Sequence, residues 1–127
     1  MSALILGAAA LIAIDRDDPS MIARLRVAHT AGVELRTTGI VVAEVWRDPS
    51  RRQSKLARLL KSVDIRAVDD RLGRTSGVLL GRAGRGQAAD ATIVSIAVAG
   101  DRIIASNTGD IDGLVGATGR QIDVLGC

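Results

Sequence analysis

Three acidic residues stand where a carboxylate needs an explanation. Glu44 sits in GIVVAEVW, where every neighbour from Ile40 to Trp46 is apolar; whichever face of that helix turns inward, a carboxylate lies beside it, and burying one unpaired costs several kcal/mol. Asp90 opens the apolar stretch ADATIVSIAVA, and Asp110 follows a strand across a turn in SNTGDIDGL. Each has a structural explanation of its own. Glu44 can pair with Arg47 or Arg51 at helical spacing, Asp90 can cap a helix, and Asp110 can sit in a first turn near the helix dipole. Taken together they are acids from three separate elements that a parallel sheet can bring to one edge. Clustered carboxylates repel unless a hard cation neutralises them, and Mg²⁺ takes oxygen ligands together with waters and phosphate. That constellation suits metal-assisted hydrolysis of a phosphodiester.

The elements that must position these acids follow from apolar patterning. Ala3 to Leu6 reads as a short buried strand, Gly7 breaks it, and Ala8 to Ile14 reads as a helix. Pro19 and Ser20 open a second helix stopped by Gly32, followed by a strand over Val33 to Thr37, and Thr38 caps a helix over Gly39 to Arg47. After Pro49, the residues Leu56, Leu59, Leu60 and Val63 fall at helical spacing, and Asp64 to Val68 is the next strand. A helix begins near Asp69, with Leu72, Leu79 and Ala83 on one side, and ends in RAGRG. Ala89 to Ala99 is apolar on nearly every face, hence a central buried helix. Arg102 to Ser106 is a strand, Asn107 to Gly109 a turn, Asp110 to Val115 a short helix and Gln121 to Leu125 a last strand. Strands alternating with helices predict an α/β fold, a mostly parallel sheet of about five strands with helices on both faces and ligands at the strands' carboxyl ends.

Composition bounds the rest. The 127 residues carry 17 Lys plus Arg against 14 Asp plus Glu, a net charge of +3, with 47% hydrophobic and 24% charged residues. That is the length and balance of a single globular domain, 1–127. Lys55 and Lys61 are the lysines; every other cation counted is arginine, whose planar fork suits phosphate as well as it reflects codon bias. Phe and Tyr are absent and Trp46 is the whole aromatic inventory, so base-stacking platforms are nearly lacking and RNA recognition would lean on backbone and shape. The single Cys127 allows no internal disulfide or thiolate metal cluster, which fits a reducing cytoplasm. The apolar run from Ala3 to Ile14 is shorter than a membrane span, and no Lys or Arg precedes it as a signal peptide requires.

Four blocks carry a family resemblance: LILGAAALIAIDRDD, VVAEVWRDP, AADATIVSIA and IIASNTGDI. In this order and spacing, from Ala3 to about Leu125, the chain resembles the PIN-domain ribonucleases, in particular the VapC toxins of bacterial toxin-antitoxin pairs. The resemblance implies a Mg²⁺- or Mn²⁺-dependent endoribonuclease, a homodimer, and an antitoxin partner that places Arg or Lys over the acidic pocket. By position, Glu44 matches the second-block Glu, Asp90 the third-block Asp and Asp110 the last-block acid, so these are the implied catalytic and metal-binding residues. Two positions depart. The first acid falls on Gly7, which supplies no ligand, and another fourth-block acid falls on Asn107, which retains an amide oxygen as a weak metal ligand without charge. Asp15, Asp17 and Asp18 lie past the first helix and do not substitute. The pocket is thus expected to bind metal weakly and cleave RNA with impaired efficiency; the alternative is a catalytically silent protein of the same fold that binds antitoxin or RNA. A phosphoacceptor signalling domain is a further alternative, opposed by Gly7 and by the lack of lysine in the tail. Arg82 and Arg85, in RAGRGQ just before Asp90, are candidate RNA contacts. His29 reads as structural.

Overall fold

The computed structural model describes residues 2–48 and 52–127. Strand β1 (Ala3–Leu6) is buried at all four positions. Because successive side chains of a strand point to opposite faces, continuous burial means that both faces of the sheet are covered there. The chain continues through α1 (Ala8–Asp15), α2 (Pro19–Thr30), β2 (Glu34–Thr38), α3 (Gly39–Val45), α4 (Ser54–Leu60), β3 (Val63–Arg66), α5 (Asp70–Ala83), α6 (Ala88–Ile96), β4 (Arg102–Ala105), α7 (Thr108–Thr118) and β5 (Asp123–Gly126).

All strand pairings are parallel and the order is β3-β2-β1-β4-β5. Register places Leu4 opposite Leu35 and Ile5 opposite Ile103. The helices pack in two groups, α1 with α2, α3 and α4, and α5 with α6 and α7. One core of aliphatic side chains fills the space between them and the sheet, with Ile5, Leu6, Leu11, Ile93, Ile103, Ile111 and Leu114 fully buried. No helix among the described residues is long and apolar enough to cross a membrane. Order and direction make β1/β4 the seam at which the chain's progression reverses, and in parallel sheets a crevice opens at the carboxyl ends of such a pair.

Several element ends differ from the sequence expectations. Val63 belongs to β3 rather than to the helix it is spaced with, and β3 stops at Arg66. Helix α3 ends at Val45 because Trp46 is already extended (ψ 124°). Helix α7 begins at Thr108, directly after β4, and runs to Gly119, whose left-handed φ of 70° terminates it. Gly84 ends α5 in the same way (φ 71°), so the glycine of RAGRG is a helix stop. Pro49 and Arg51 lie outside the described residues.

Buried polar residues lock the seam. Asp101, 1% exposed, accepts the Ala3 N–H at 2.7 Å and the Val98 N–H at 2.9 Å, tying the start of β1 to the turn before β4. Thr37 donates its hydroxyl to the Leu6 carbonyl at 2.7 Å. Gln53 holds the exit of α3 by donating to the Val45 carbonyl and accepting from the Arg47 and Asp48 N–H groups.

Candidate functional site

A cavity of about 380 Å³ opens where the seam predicts, lined by Gly7, Ala8 and Ala9 after β1, Ala105 at the end of β4 with Ser106 and Asn107 after it, Glu44 of α3, and Gln87 and Asp90 at the start of α6. It gathers Glu44, Asp90, Gly7 and Asn107.

Helix α3 buries Val41 and Val45, and Glu44 lies off that stripe at the rim, exposed. The carboxylate thus lies beside the inward face, as the apolar run around it requires, and stays in reach of solvent. The pairing with Arg47 is absent, since that guanidinium donates to the Ala43 and Trp46 carbonyls; Arg51 is outside the described residues. Asp90 is not the cap of its helix. Gln87 occupies that position, and Asp90 is the third helical residue, half-buried, with its side chain turned to the cavity. Burial pushes its carboxyl above the usual carboxylate range, and the negative charges of Glu44 and Asp110 push it further. That coupling marks the three acids as electrostatic neighbours.

A hydroxyl pair fixes the two acid-bearing helices to each other. Thr38 begins α3 without capping it; its Oγ1 lies 2.9 Å from Oγ1 of Thr92 on α6. Thr92 gives its own proton to the Ala89 carbonyl at 2.6 Å, so Thr38 is the donor between them. Both residues are buried, at 0% and 2% exposure.

Asp110 is differently placed. Its Oδ1 accepts a hydrogen bond from Nε of Arg85 at 2.6 Å and lies 2.6 Å from Nη2 as an ion pair, and its Oδ2 accepts from Nδ2 of Asn107 at 2.8 Å. The hydrogen bond from Arg85, then that from Asn107, lowers its pKa below the usual range. It does not line the cavity. Arg82 is not near it either: it borders a separate cleft with Thr75, Ser95 and Arg120 on the other side of α5. Sequence reasoning missed the Arg85–Asp110 pair, which links residues 25 apart. The glycines flanking Arg85, at φ 71° and 109°, are the local sign that its position is built.

At Gly7 the φ of −81° and ψ of 176° are open to any residue. Space is what is short, because a Cβ there would lie 3.0 Å from the Ile104 carbonyl oxygen.

The donor set suits a loosely held hard cation. Glu44 and Asp90 offer carboxylates to one cavity and Asn107 retains its amide oxygen, its nitrogen being spent on Asp110; Mg²⁺ commonly takes one or two carboxylates and completes its shell with water and phosphate. Among the described residues no three of His, Cys, Asp and Glu converge as a metal cage.

No protein-family model and no curated protein matches the sequence. Twelve solved chains match it. One belongs to the crystal structure of VapBC2 from Rickettsia felis bound to a DNA fragment from their promoter, at 20% identity over 97% of this chain and 98% of that one, with a TM-score of 0.69. The chain has the PIN-like α/β fold from end to end.

Proposed function

We propose that this chain is the toxin half of a toxin-antitoxin pair, a Mg²⁺- or Mn²⁺-dependent endoribonuclease of impaired efficiency. The observation that carries the reading is the cavity at the carboxyl ends of β1 and β4, into which Glu44 and Asp90 bring coupled carboxylates. The fold shared with a chain of a VapBC complex supports it.

In this reading Glu44, Asp90 and the Asn107 amide oxygen hold the ion. When bound, it supplies Lewis-acid activation of a phosphodiester and of the water that attacks it. Asp90 turns its carboxylate into the cavity, where burial and the neighbouring charges of Glu44 and Asp110 disfavour its ionised form and so create the demand for a cation. Glu44, at the solvated rim, faces the same cavity from α3 and would offer the second carboxylate. Gly7 adds nothing to the charge and Asn107 adds only a dipole, so hydrolysis is slow.

The partners are an RNA, an antitoxin segment that sets an Arg or Lys over Glu44 and Asp90, and a second copy of the chain; the setting is the cytoplasm. A cationic side chain there relieves the repulsion that Asp90 feels, so Asp90→Asn with Glu44→Gln weakens the complex, most visibly at low salt.

One observation favours a silent binder of the same fold. Asp110 is already neutralised by Arg85, which leaves two free carboxylates. Cleavage of a structured RNA with Mg²⁺ decides between them. Cutting that Asp90→Ala abolishes supports the nuclease; no cutting, with antitoxin binding intact, supports the silent protein.

A further inference from the structure

We infer that Arg85 is a counter-cation at the edge of the acidic cavity, beside its lining residue Asn107, a positioning residue that withholds Asp110 from divalent ions and so sets how tightly the cavity takes them. The inference rests on reading that cavity as a cation site and adds how its affinity is governed.

Both oxygens of Asp110 are committed. The guanidinium donates Nε to Oδ1 at 2.6 Å and sets Nη2 at 2.6 Å from the same oxygen as an ion pair, and the Asn107 amide donates to Oδ2 at 2.8 Å. The guanidinium carries a permanent charge, because arginine does not deprotonate in proteins. Any cation that would use Asp110 must first displace one that is already covalently part of the chain.

The backbone holds Arg85 in place from both sides. It stands in the link between α5 and α6, between Gly84 in the left-handed conformation and Gly86 at φ 109°. A Cβ on Gly86 would come within 3.2 Å of Leu114 Cδ1, so the link lies directly on α7, the helix that carries Asp110. Arg85 Nη2 also passes close over Gly109, 3.9 Å from where a Cβ would stand. Three residues after Gln87 caps α6 comes Asp90. The loop that delivers the guanidinium is therefore the loop that leads to the cavity's central acid, and its backbone is packed on the helix that carries Asp110. The Arg85 side chain remains 64% exposed, which leaves it free to swing away without unfolding anything.

The test is Mn²⁺ binding by calorimetry or by electron paramagnetic resonance of the free ion, on the full chain and its variants. In the parent chain affinity is weak. Arg85→Gln frees a carboxylate and removes a positive charge, and Mn²⁺ binds about tenfold tighter. Arg85→Lys keeps the charge and restores most of the parent affinity. In the double variant Arg85→Gln with Asp110→Asn the gain disappears. Should Arg85→Gln be poorly folded in its melting curve, the single variants decide: Asp110→Asn costs several-fold less affinity than Asp90→Asn. The inference is overturned if Arg85→Gln binds no tighter than the parent, if the double variant keeps the gain, or if Asp110→Asn weakens binding as much as Asp90→Asn. A chain that binds Mn²⁺ in this pattern yet cuts no RNA contradicts the nuclease reading and leaves the role of Arg85 standing.

Discussion

Placing a methyl group at Gly7 separates space from charge at the position where the family resemblance expects an acid. The Cβ of Gly7→Ala would lie 3.0 Å from the Ile104 carbonyl oxygen and 3.6 Å from both Ala105 Cβ and Ile93 Cδ1. That carbonyl already accepts the Gly7 N–H at 2.9 Å. It belongs to β4, which is paired on both sides, so it cannot retreat without disturbing two ladders. Overpacking of this kind costs about 1–3 kcal/mol. Against it, alanine stiffens the unfolded chain by about 0.4–1 kcal/mol where the backbone is compatible, as φ −81° makes it. Alanine is also a poorer cap than glycine for α1, a loss on the order of 0.5 kcal/mol. The net is a destabilisation of about 1–2 kcal/mol. For a domain of this size that is a fall of roughly 4–8 °C in Tm, read by circular dichroism at pH 7. Gly7→Asp suffers the same crowding but brings a capping oxygen and a third charge, so its Tm rises with Mn²⁺ more than the parent's does. Its RNA cleavage with Mg²⁺ also rises, and Asn107→Asp adds to it. A Gly7→Ala protein that melts at or above the parent's Tm refutes the crowding argument.

The raised pKa of Asp90 means that folding disfavours its charged form, so its contribution to stability worsens as pH climbs above the usual 3.8. Asp90→Asn is accordingly more stable than the parent at pH 7, and the advantage vanishes in melts run below the carboxylate range. Thr92→Val leaves the buried Thr38 hydroxyl without its acceptor and costs about 1–3 kcal/mol in urea unfolding. Asp101→Ala strands the buried Ala3 N–H and releases the part-buried Val98 N–H, and costs about 1–3 kcal/mol in the same assay, with Asp101→Asn intermediate. Gln53→Ala releases the Arg47 and Asp48 amides, whose hydrogen exchange quickens while the core amides keep theirs.

What could be read from sequence was what local chemistry decides. Strand β1 ends where Gly7 breaks an apolar run, and the structure ends it there. The alternation of strands and helices gave the parallel sheet, and so the edge at which Glu44 and Asp90 meet. Val63 was misplaced because a residue three beyond Leu60 fits a helical period and a strand start equally. That Glu44 stays exposed is not legible, because composition says how apolar a helix is, not how wide a face it buries. The capping role given to Asp90 failed by three residues, since helix starts are the weakest feature of patterning. The crowding at Gly7 and the grip of Arg85 on Asp110 were invisible for a common reason: each depends on chain that arrives from β4 or α7, and no local pattern encodes that approach.

The strand order also sets a timetable. Strand β1 meets β2 after about thirty residues of synthesis, but Ala3 and its anchor Asp101 are 98 residues apart. At roughly 5–20 residues per second, the β4 side of β1 waits on the order of 5–20 s while the chain emerges. For that interval an apolar strand edge stands open, the kind of template that recruits other chains. The cavity lies on this same seam, with one wall after β1 and the other after β4. A nascent chain can therefore fold its first three strands and still have no cavity at all; the acids are brought together only when the seam closes.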